Sequence, residues 1–443
     1  LSDHTLQTLS ADTLAYAKSI GATDAAVEVS ESMGLSVTTR KMVVETIEHT
    51  RDKGLGITVY IGQRRGHAST SDLSASALRQ AVDAAHSIAR YTAADDCAGL
   101  PDADDLARDI VDLDLFYPWA IEADAAIDLA RRCEQAAFDV SPHIVNSEGA
   151  SVYTSAGHFV LANTRGFMAG YPFSRHSLSV VPIAQDERGM QRDDWYSTSR
   201  LPSRLAAPEA IGRYAAQRAL ARLSARRVPS GSYPVLFEAP LACGLLGSFV
   251  QAASGGALYR GTSFLVDALN KPVFAKHISL DEDPLIAQAD GSCPFDDEGV
   301  RVGARTVVDA GVLRGYFLST YSARKLKMKT TGNAGGAHNL RLRSSHTDAA
   351  DDFEAMLRQL GTGLLVTELI GHGVNAVTGD YSRGACGYWV EKGAIAYPVE
   401  EITIAGNLRD MYAGIVAVGA DEIVRGSRVS GSVLIDRMSV GGA

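Results

Sequence analysis

The chemistry available to this chain is framed first by its histidines. Eleven are present, and none is followed by Glu. A peptidase helix that binds zinc needs two imidazoles on one face and a neighbouring Glu as general base, so the HExxH and HExxxH signatures are absent. No G-x-S-x-G elbow, G-x-x-x-x-G-K-[ST] loop or strand-following G-x-G-x-x-G occurs either, which excludes the simple hydrolase, P-loop and dinucleotide readings. His372 stands out among the remaining polar residues: it lies in the glycine-flanked turn Gly371-His372-Gly373, with Asp380, Tyr381, Ser382 and Arg383 close behind. Asn375, Ser382 and Arg383 suit the holding of such a loop, because Asn and Ser side chains bond readily to nearby backbone. Glu400-Glu401 resembles a carboxylate pair, but adjacent strand residues point to opposite faces and cannot share a proton.

Bulk composition removes other classes. The chain has 443 residues, 46% of them hydrophobic, enough for two or three domains. With 42 Lys plus Arg against 52 Asp plus Glu, its formal charge is −10. The basic runs are short, as in Arg64-Arg65 and Arg226-Arg227, so a nucleic-acid partner is not expected. Cys97, Cys133, Cys243, Cys293 and Cys386 are widely spaced and odd in number, with no Cys-x-x-Cys pair. That pattern predicts buried thiols in a reducing compartment rather than a disulfide framework or structural zinc site. No apolar run approaches the roughly 18 to 20 residues that cross a bilayer. The start, Leu1-Ser2-Asp3, lacks a charged-then-apolar leader layout. Cytoplasm is the expected address, without a membrane partner.

The elements that must position these residues are α+β. Residues 1–230 predict helices packed on antiparallel, meander-like sheets. Ser10 is read as N-cap of a first helix carrying Leu14, Ala17 and Ile20. Strands follow over 25–39, 42–49 and 56–62, with a turn at Gln63-Arg64-Arg65-Gly66 and a helix from Ser74 to Tyr91. An acidic, Pro-punctuated arm over 95–118 leads to a helix from about Ile121 to Val140. Strands are expected at 151–154, 158–163 and 177–183, then a helix from Pro208 to Leu223. The recurrence of helix-then-strands suggests two similar halves, about 1–115 and 116–230. Residues 231–443 predict a β-rich C-terminal domain dense in glycine, in which helical periodicity nearly vanishes after Val250. Hairpins are expected over 305–317 and 387–399.

Three stretches carry a resemblance: Tyr233–Phe249, Glu368–Asn375 running on to Trp389, and Pro398–Arg409. In these the chain resembles the TldD/PmbA (TldE) family, described as modulators of DNA gyrase and as zinc-dependent peptidases. The N-terminal layout is consistent with it over nearly the full length. In the TldD branch of that family a helix carries HExxxH. Aligned on Gly247-Ser248-Phe249, the motif positions here hold Glu238, Ala239 and Cys243: the first His is Glu, the general-base Glu is Ala, and the second His is Cys. Alanine cannot take a proton from metal-bound water, so the resemblance is to the TldE/PmbA branch, with no catalytic residue or metal in this chain. Two readings of Glu238 and Cys243 stay open: residual metal ligands, or relics, with Cys243 a small buried residue beside Leu241, Leu245 and Phe249 and Pro240 starting the helix. On a regular helix five residues turn by about 140°, so joint ligation requires the helix to end, and Pro240 at its start would leave Glu238 outside.

The resemblance implies a non-catalytic subunit that pairs with a TldD-like chain, which would hold the zinc. Together they would bind and cleave extended or unfolded peptides, such as leader segments of peptide precursors and small antitoxins. Glycine-rich strand edges suit main-chain pairing with such peptides. His372, Asn375 and Arg383 would then lie on the peptide-facing or subunit-facing side of the cleft. The alternatives are a regulatory protein acting on DNA gyrase or another protein partner, and a homodimer in isolation using Cys243.

Overall fold

Val27, Val29, Leu35 and Val37 alternate along one strand, yet they serve two different cores. The computed structural model describes residues 3–442; Leu1 and Ser2, part of the start considered above, and Ala443 lie outside the described residues. Its chain divides into two compact units, Leu1–Ala221 with Pro294–Arg301, and Arg222–Cys293 with Val302–Ala443.

In the first unit, α1 (Asp3–Ser19) leads into β1 (Asp24–Arg40), β2 (Val43–Ile61) and β3 (Arg64–Thr70), then α2 (Ala75–Tyr91) and α3 (Ala123–Phe138). After these come β4 (Ile144–Asn163), β5 (Met168–Asp186), β6 (Gly189–Arg192), β7 (Trp195–Ser199) and α4 (Pro208–Ala221). The strands form one antiparallel sheet in the order β3-β2-β1-β4-β5-β6, with β7 on β5. Val27 and Val29 of β1 meet Val160 and Ala162 of β4 under α1 and α2. Further along the same strands, Leu35 and Val37 meet Ala150 and Val152 under α3 and α4. β1 and β4 thus each bury two successive apolar stretches, one beneath each helix pair.

Local chemistry explains the helix positions. Ser74 caps α2 through Oγ, which accepts from Ala77 N, as a Ser in front of an apolar-periodic run should. Helix α2 lies so close to β3 that a Cβ on Gly66 would stand 2.0 Å from the Ala85 carbonyl oxygen. A Cβ on Gly212 of α4 would meet the Cys133 carbonyl of α3 at the same distance. Glycine is required at both positions by close approach. One expectation is corrected: Ser10 does not cap α1 but sits inside it, fully buried, with Oγ bonded to the Leu6 carbonyl at 2.8 Å. Its hydroxyl satisfies itself one turn back, so the helix begins earlier.

The second unit is β-rich. It contains β8 (Gly231–Phe237), α5 (Ala239–Ala252), α6 (Gly255–Tyr259), β9 (Ile278–Glu282), β10 (Arg305–Asp309), β11 (Val312–Leu313) and α7 (Thr320–Lys325). Then follow β12 (Leu340–Ser344), α8 (Phe353–Leu360), β13 (Gly363–Ile370), β14 (Asp380–Glu391) and β15 (Ala394–Asn407). The chain ends with α9 (Leu408–Ala413), β16 (Ile415–Val418), β17 (Ile423–Arg425), β18 (Arg428–Ser430) and β19 (Val433–Gly441). One sheet runs β11-β10-β9-β12-β18-β17. The other runs β15-β14-β13-β8-β19-β16, and β15 also pairs β19, closing a barrel. Phe249 of α5, Phe274 and Tyr412 of α9 pack ring against ring in the core shared by both sheets. The fold class is α+β as expected, with both expected hairpins present at β10–β11 and β14–β15. Helix α8 was not anticipated, although Asp352 caps it by accepting from Ala355 N and Met356, Leu357 and Leu360 bury one face.

Candidate functional site

Positions 238–243 stand where β8 ends and α5 begins. Strand β8 pairs parallel with β13 and antiparallel with β19, so both its neighbours fix its end. Glu238 N continues the ladder to the Val366 carbonyl at 3.1 Å, and the Glu238 carbonyl accepts from Leu241 N and Ala242 N. Glu238 is therefore the residue before the helix, and its carboxylate makes no capping bond. Pro240 is the second residue of α5 rather than the first, still within the turn where a missing N–H costs nothing.

Ala239 and Cys243 both face the interior, 5% and 2% exposed. The Cys243 Sγ lies 3.9 Å from the carbonyl oxygens of Ile423 and Arg428, at the β17–β18 hairpin. Burial pushes the thiol up to about 11, against the opposing charges of Arg425 and Arg428. One turn further on, a Cβ at Gly247 would come within 2.8 Å of Arg428 Nη1, so that guanidinium lies across the helix. The donor set does not fit zinc. It offers one carboxylate outside the helix and one buried, protonated thiol, with two guanidinium charges beside the thiol that disfavour a cation. Among the described residues no group of three or more His, Cys, Asp or Glu side chains could hold a metal ion. Ala239 carries no group that can act as a base.

His372, Asn375 and Arg383 fall on or beside the β13–β14 connection. His372 is exposed, and its carbonyl accepts from Val374 N at 2.9 Å. Asn375 shapes the loop: Oδ1 accepts from Val377 N and Thr378 N, and its N donates to the Asp380 carbonyl. Asp380 accepts from the Thr378 hydroxyl and from Asn407, which hold its carboxyl below the usual range. A Cβ on Gly373 would overlap the Ser382 carbonyl, so the turn needs glycine there. Arg383 is half buried on β14, near the buried Tyr381, whose hydroxyl burial pushes up to about 12. The two residues of Glu400-Glu401 do different things, Glu401 pairing with Arg227 at 2.5 Å in a left-handed backbone conformation.

Sequence reasoning missed two features. Arg222, nearly buried, pairs with Glu368 at 2.5 Å. Cys386 lies beside them, its thiol pushed up first by burial and then by Glu368 and Glu400, with Arg222 opposing. The arginines near Cys243 were missed as well. Neither has a spacing signal, since Arg222 and Glu368 are 146 residues apart in sequence and Cys243 and Arg428 are 185 apart.

Comparison with known proteins identifies the family. Profiles of three successive domains match: PmbA/TldA metallopeptidase domain 1 over residues 25–89, the central domain over 116–223 and the C-terminal domain over 230–442. The metalloprotease PmbA of Escherichia coli O157:H7 is 47% identical over 429 residues, covering 97% of this chain and 94% of that protein. A PmbA homologue from Haemophilus influenzae is 45% identical over 94% of this chain and 92% of its own length. Among solved structures, a candidate modulator of DNA gyrase from Bacteroides thetaiotaomicron superposes with a TM-score of 0.92 at 26% identity, covering 100% of both chains. TldE from Thermococcus kodakarensis shares the fold, with a TM-score of 0.83 at 16% identity over 98% of this chain and 100% of that one. On sequence and fold together, the chain belongs to the PmbA/TldD metallopeptidase family.

Proposed function

We propose that this chain is the TldE-type, non-catalytic member of a two-chain peptidase. In this reading a TldD-type chain supplies zinc and general base, and the present chain helps enclose the cleft and hold extended or unfolded peptides. The relatives' name, metalloprotease, then describes activity belonging to the complex. The observation that carries the reading is Ala239: it occupies the position expected for the base and is sealed in the interior beside a buried Cys243. The β13–β14 loop is the candidate peptide-facing or partner-facing surface, with His372 exposed on it, Asn375 shaping it and Arg383 behind it. Strand edges of the second unit would offer main-chain bonds to a peptide with little demand on its sequence. Peptide precursors carrying leader segments and small unfolded antitoxins are the substrate classes proposed. No helix among the described residues is long and apolar enough to cross a membrane; the cytoplasm is the compartment proposed.

The test is purification of the chain alone and after co-expression with a homologue carrying HExxxH. Alone it should hold sub-stoichiometric zinc and leave an unstructured peptide intact; co-expressed, the two chains should co-elute and cleave it. Stoichiometric zinc and cleavage by the chain alone would overturn the assignment. Recovery of gyrase subunits with no TldD-type chain would favour the regulatory reading instead.

A further inference from the structure

In the first unit, β2 outruns its outer neighbour. On one side it pairs with β1 from Val43 to Tyr60. On the other, β3 covers only Leu55–Ile61. From Thr46 to Gly54 that edge therefore meets no strand among the described residues. Every residue from Glu45 to Lys53 is exposed, so this stretch is held on a single side by β1.

Alternation fixes which backbone groups the edge offers. The Ala25 amide donates to the Thr164 hydroxyl and its carbonyl accepts from Thr164 N, so Ala25 turns toward the β4 side. Neighbouring strand residues turn the opposite way, so the even-numbered residues of β1 face β2. The register is unbroken from Asp24 opposite Tyr60 to Thr38 opposite Thr46, pairing even residues with even. The N–H and C=O groups of Ile47, His49, Arg51 and Lys53 are left pointing outward, a ready template for another strand.

The side chains decide which strand fits. Odd residues of β2 lie on the helix-bearing face, because Leu55 and Ile57 stand opposite Val29 and Val27 there. That face carries His49, Arg51 and Lys53, with Arg51 already committed to Glu31. The other face carries Glu48 and Asp52, whose carboxylates meet no cation among the described residues. Two copies joined through this edge as a closed dimer would run antiparallel about a two-fold axis, which keeps each face on its own side. Any register that overlaps these residues then sets Glu48 or Asp52 of one copy opposite or diagonal to Glu48 or Asp52 of the other. Like charges so placed destabilise the pair. The edge is open, yet it rejects its own kind.

We propose that the β2 edge from Thr46 to Gly54 receives a strand of a different polypeptide, the TldD-type chain, resting on the two-chain assignment only for that partner's identity. The incoming segment sets basic side chains against Glu48 and Asp52 and acidic ones against His49 and Lys53. Its main chain bonds to the outward groups of the odd residues, extending the sheet by one strand.

The test uses the full chain, alone and co-expressed with the homologue carrying HExxxH. Deuterium exchange of peptides spanning 43–54 should slow by about tenfold or more in the complex. His49→Pro removes an outward N–H and spares the β1 ladder, as an edge strand tolerates. It should leave the circular dichroism and melting of the chain alone unchanged and weaken partner binding by at least about tenfold. Should His49→Pro not fold, the exposed double reversal Glu48→Lys with Asp52→Lys should weaken binding to a similar extent. Failure of the two unmodified chains to co-elute would overturn the two-chain assignment and this one with it. Co-elution with undiminished affinity in both variants, and no protection of 43–54, would overturn the edge alone. Protection of 43–54 in the chain by itself as its concentration rises, or by an unstructured peptide without the partner, would overturn it as well.

Discussion

Replacing Glu134 should unlock the tip of the β1–β2 hairpin. Glu134 is completely buried on α3, yet its two oxygens accept from Lys41 N and Met42 N, each at 2.8 Å. Those residues are the two-residue turn between β1 and β2, with Arg40 facing Val43. Both have positive φ, 50° and 66°, as a type I′ turn demands, and neither is Gly, Asn or Asp. Left-handed backbone costs an ordinary residue roughly 1–2 kcal/mol, so the pair costs about 2–4 kcal/mol. Two hydrogen bonds to a charged acceptor contribute about 1.5–3 kcal/mol each, enough to offset it. Glu134→Gln keeps one acceptor but turns an NH2 toward the second amide, losing one bond and adding an unmatched donor. A loss of about 2–3 kcal/mol is expected, and about 4 kcal/mol for Glu134→Ala, which also leaves a cavity. Denaturant unfolding followed by circular dichroism measures both, and Met42→Gly in the Gln background should recover about 1 kcal/mol by removing strain at φ 66°. If Glu134→Gln stays within about 0.5 kcal/mol of the unmodified chain, a value typical of inert surface changes, the turn does not depend on the carboxylate and this reasoning fails.

Two further outcomes follow from buried titratable groups. His176 is fully buried, with Nδ1 against the Thr154 hydroxyl and Nε2 against the Tyr117 carbonyl, and burial holds its pKa below the ordinary value. The unfolded chain then binds more protons than the folded one, so this group's contribution to stability is present above about pH 6.5 and is lost as pH falls below it. His176→Gln should flatten the melting-temperature slope between pH 7 and the depressed value, and identical slopes would contradict the sign. Cys243, pushed up to about 11, should be alkylated at pH 8 in the folded chain at least about 100-fold more slowly than free cysteine in the same solution, on thiolate fraction alone. Peptide mapping that finds Cys243 labelled at a similar rate would show the thiol to be open to solvent.

What was legible in the sequence follows the range of the interactions involved. Helix α2 reads correctly from Ser74 to Tyr91 because a cap and a 3.6-residue apolar period both lie within the segment. The strands were legible as short pieces but not at their full length. The solvent-facing middle of β2, from Thr46 to Lys53, carries no buried residue, so its alternation has no apolar partner to mark it. Its pairing with β1, not its own pattern, keeps it extended. Ser10 misled for the converse reason: a hydroxyl that usually caps can also bond back within a helix. At the candidate site, the identities at 238, 239 and 243 were readable through a family resemblance. Their surroundings were not, because Arg425 and Arg428 arrive from a hairpin far along the chain.

That hairpin changes what the missing motif means. Losing an imidazole and a carboxylate could by itself leave an empty polar cavity, open to another metal or to water. Here α5 buries Ala239, Ala242, Cys243 and Leu246, and the β17–β18 hairpin places two carbonyl oxygens over the thiol. Arg428 crosses at Gly247, where a Cβ would come within 2.8 Å of its guanidinium. Placing the motif's Glu at 239 and His at 243 would therefore set a carboxylate and an imidazole into a packed interior beside two guanidinium groups, with the other His at the partly buried position 238. The buried side chains would meet overpacking, and the metal would meet positive charge. On the proposed reading of 238–243 as the motif positions, a variant that restores the motif should need changes at Arg425 and Arg428 as well.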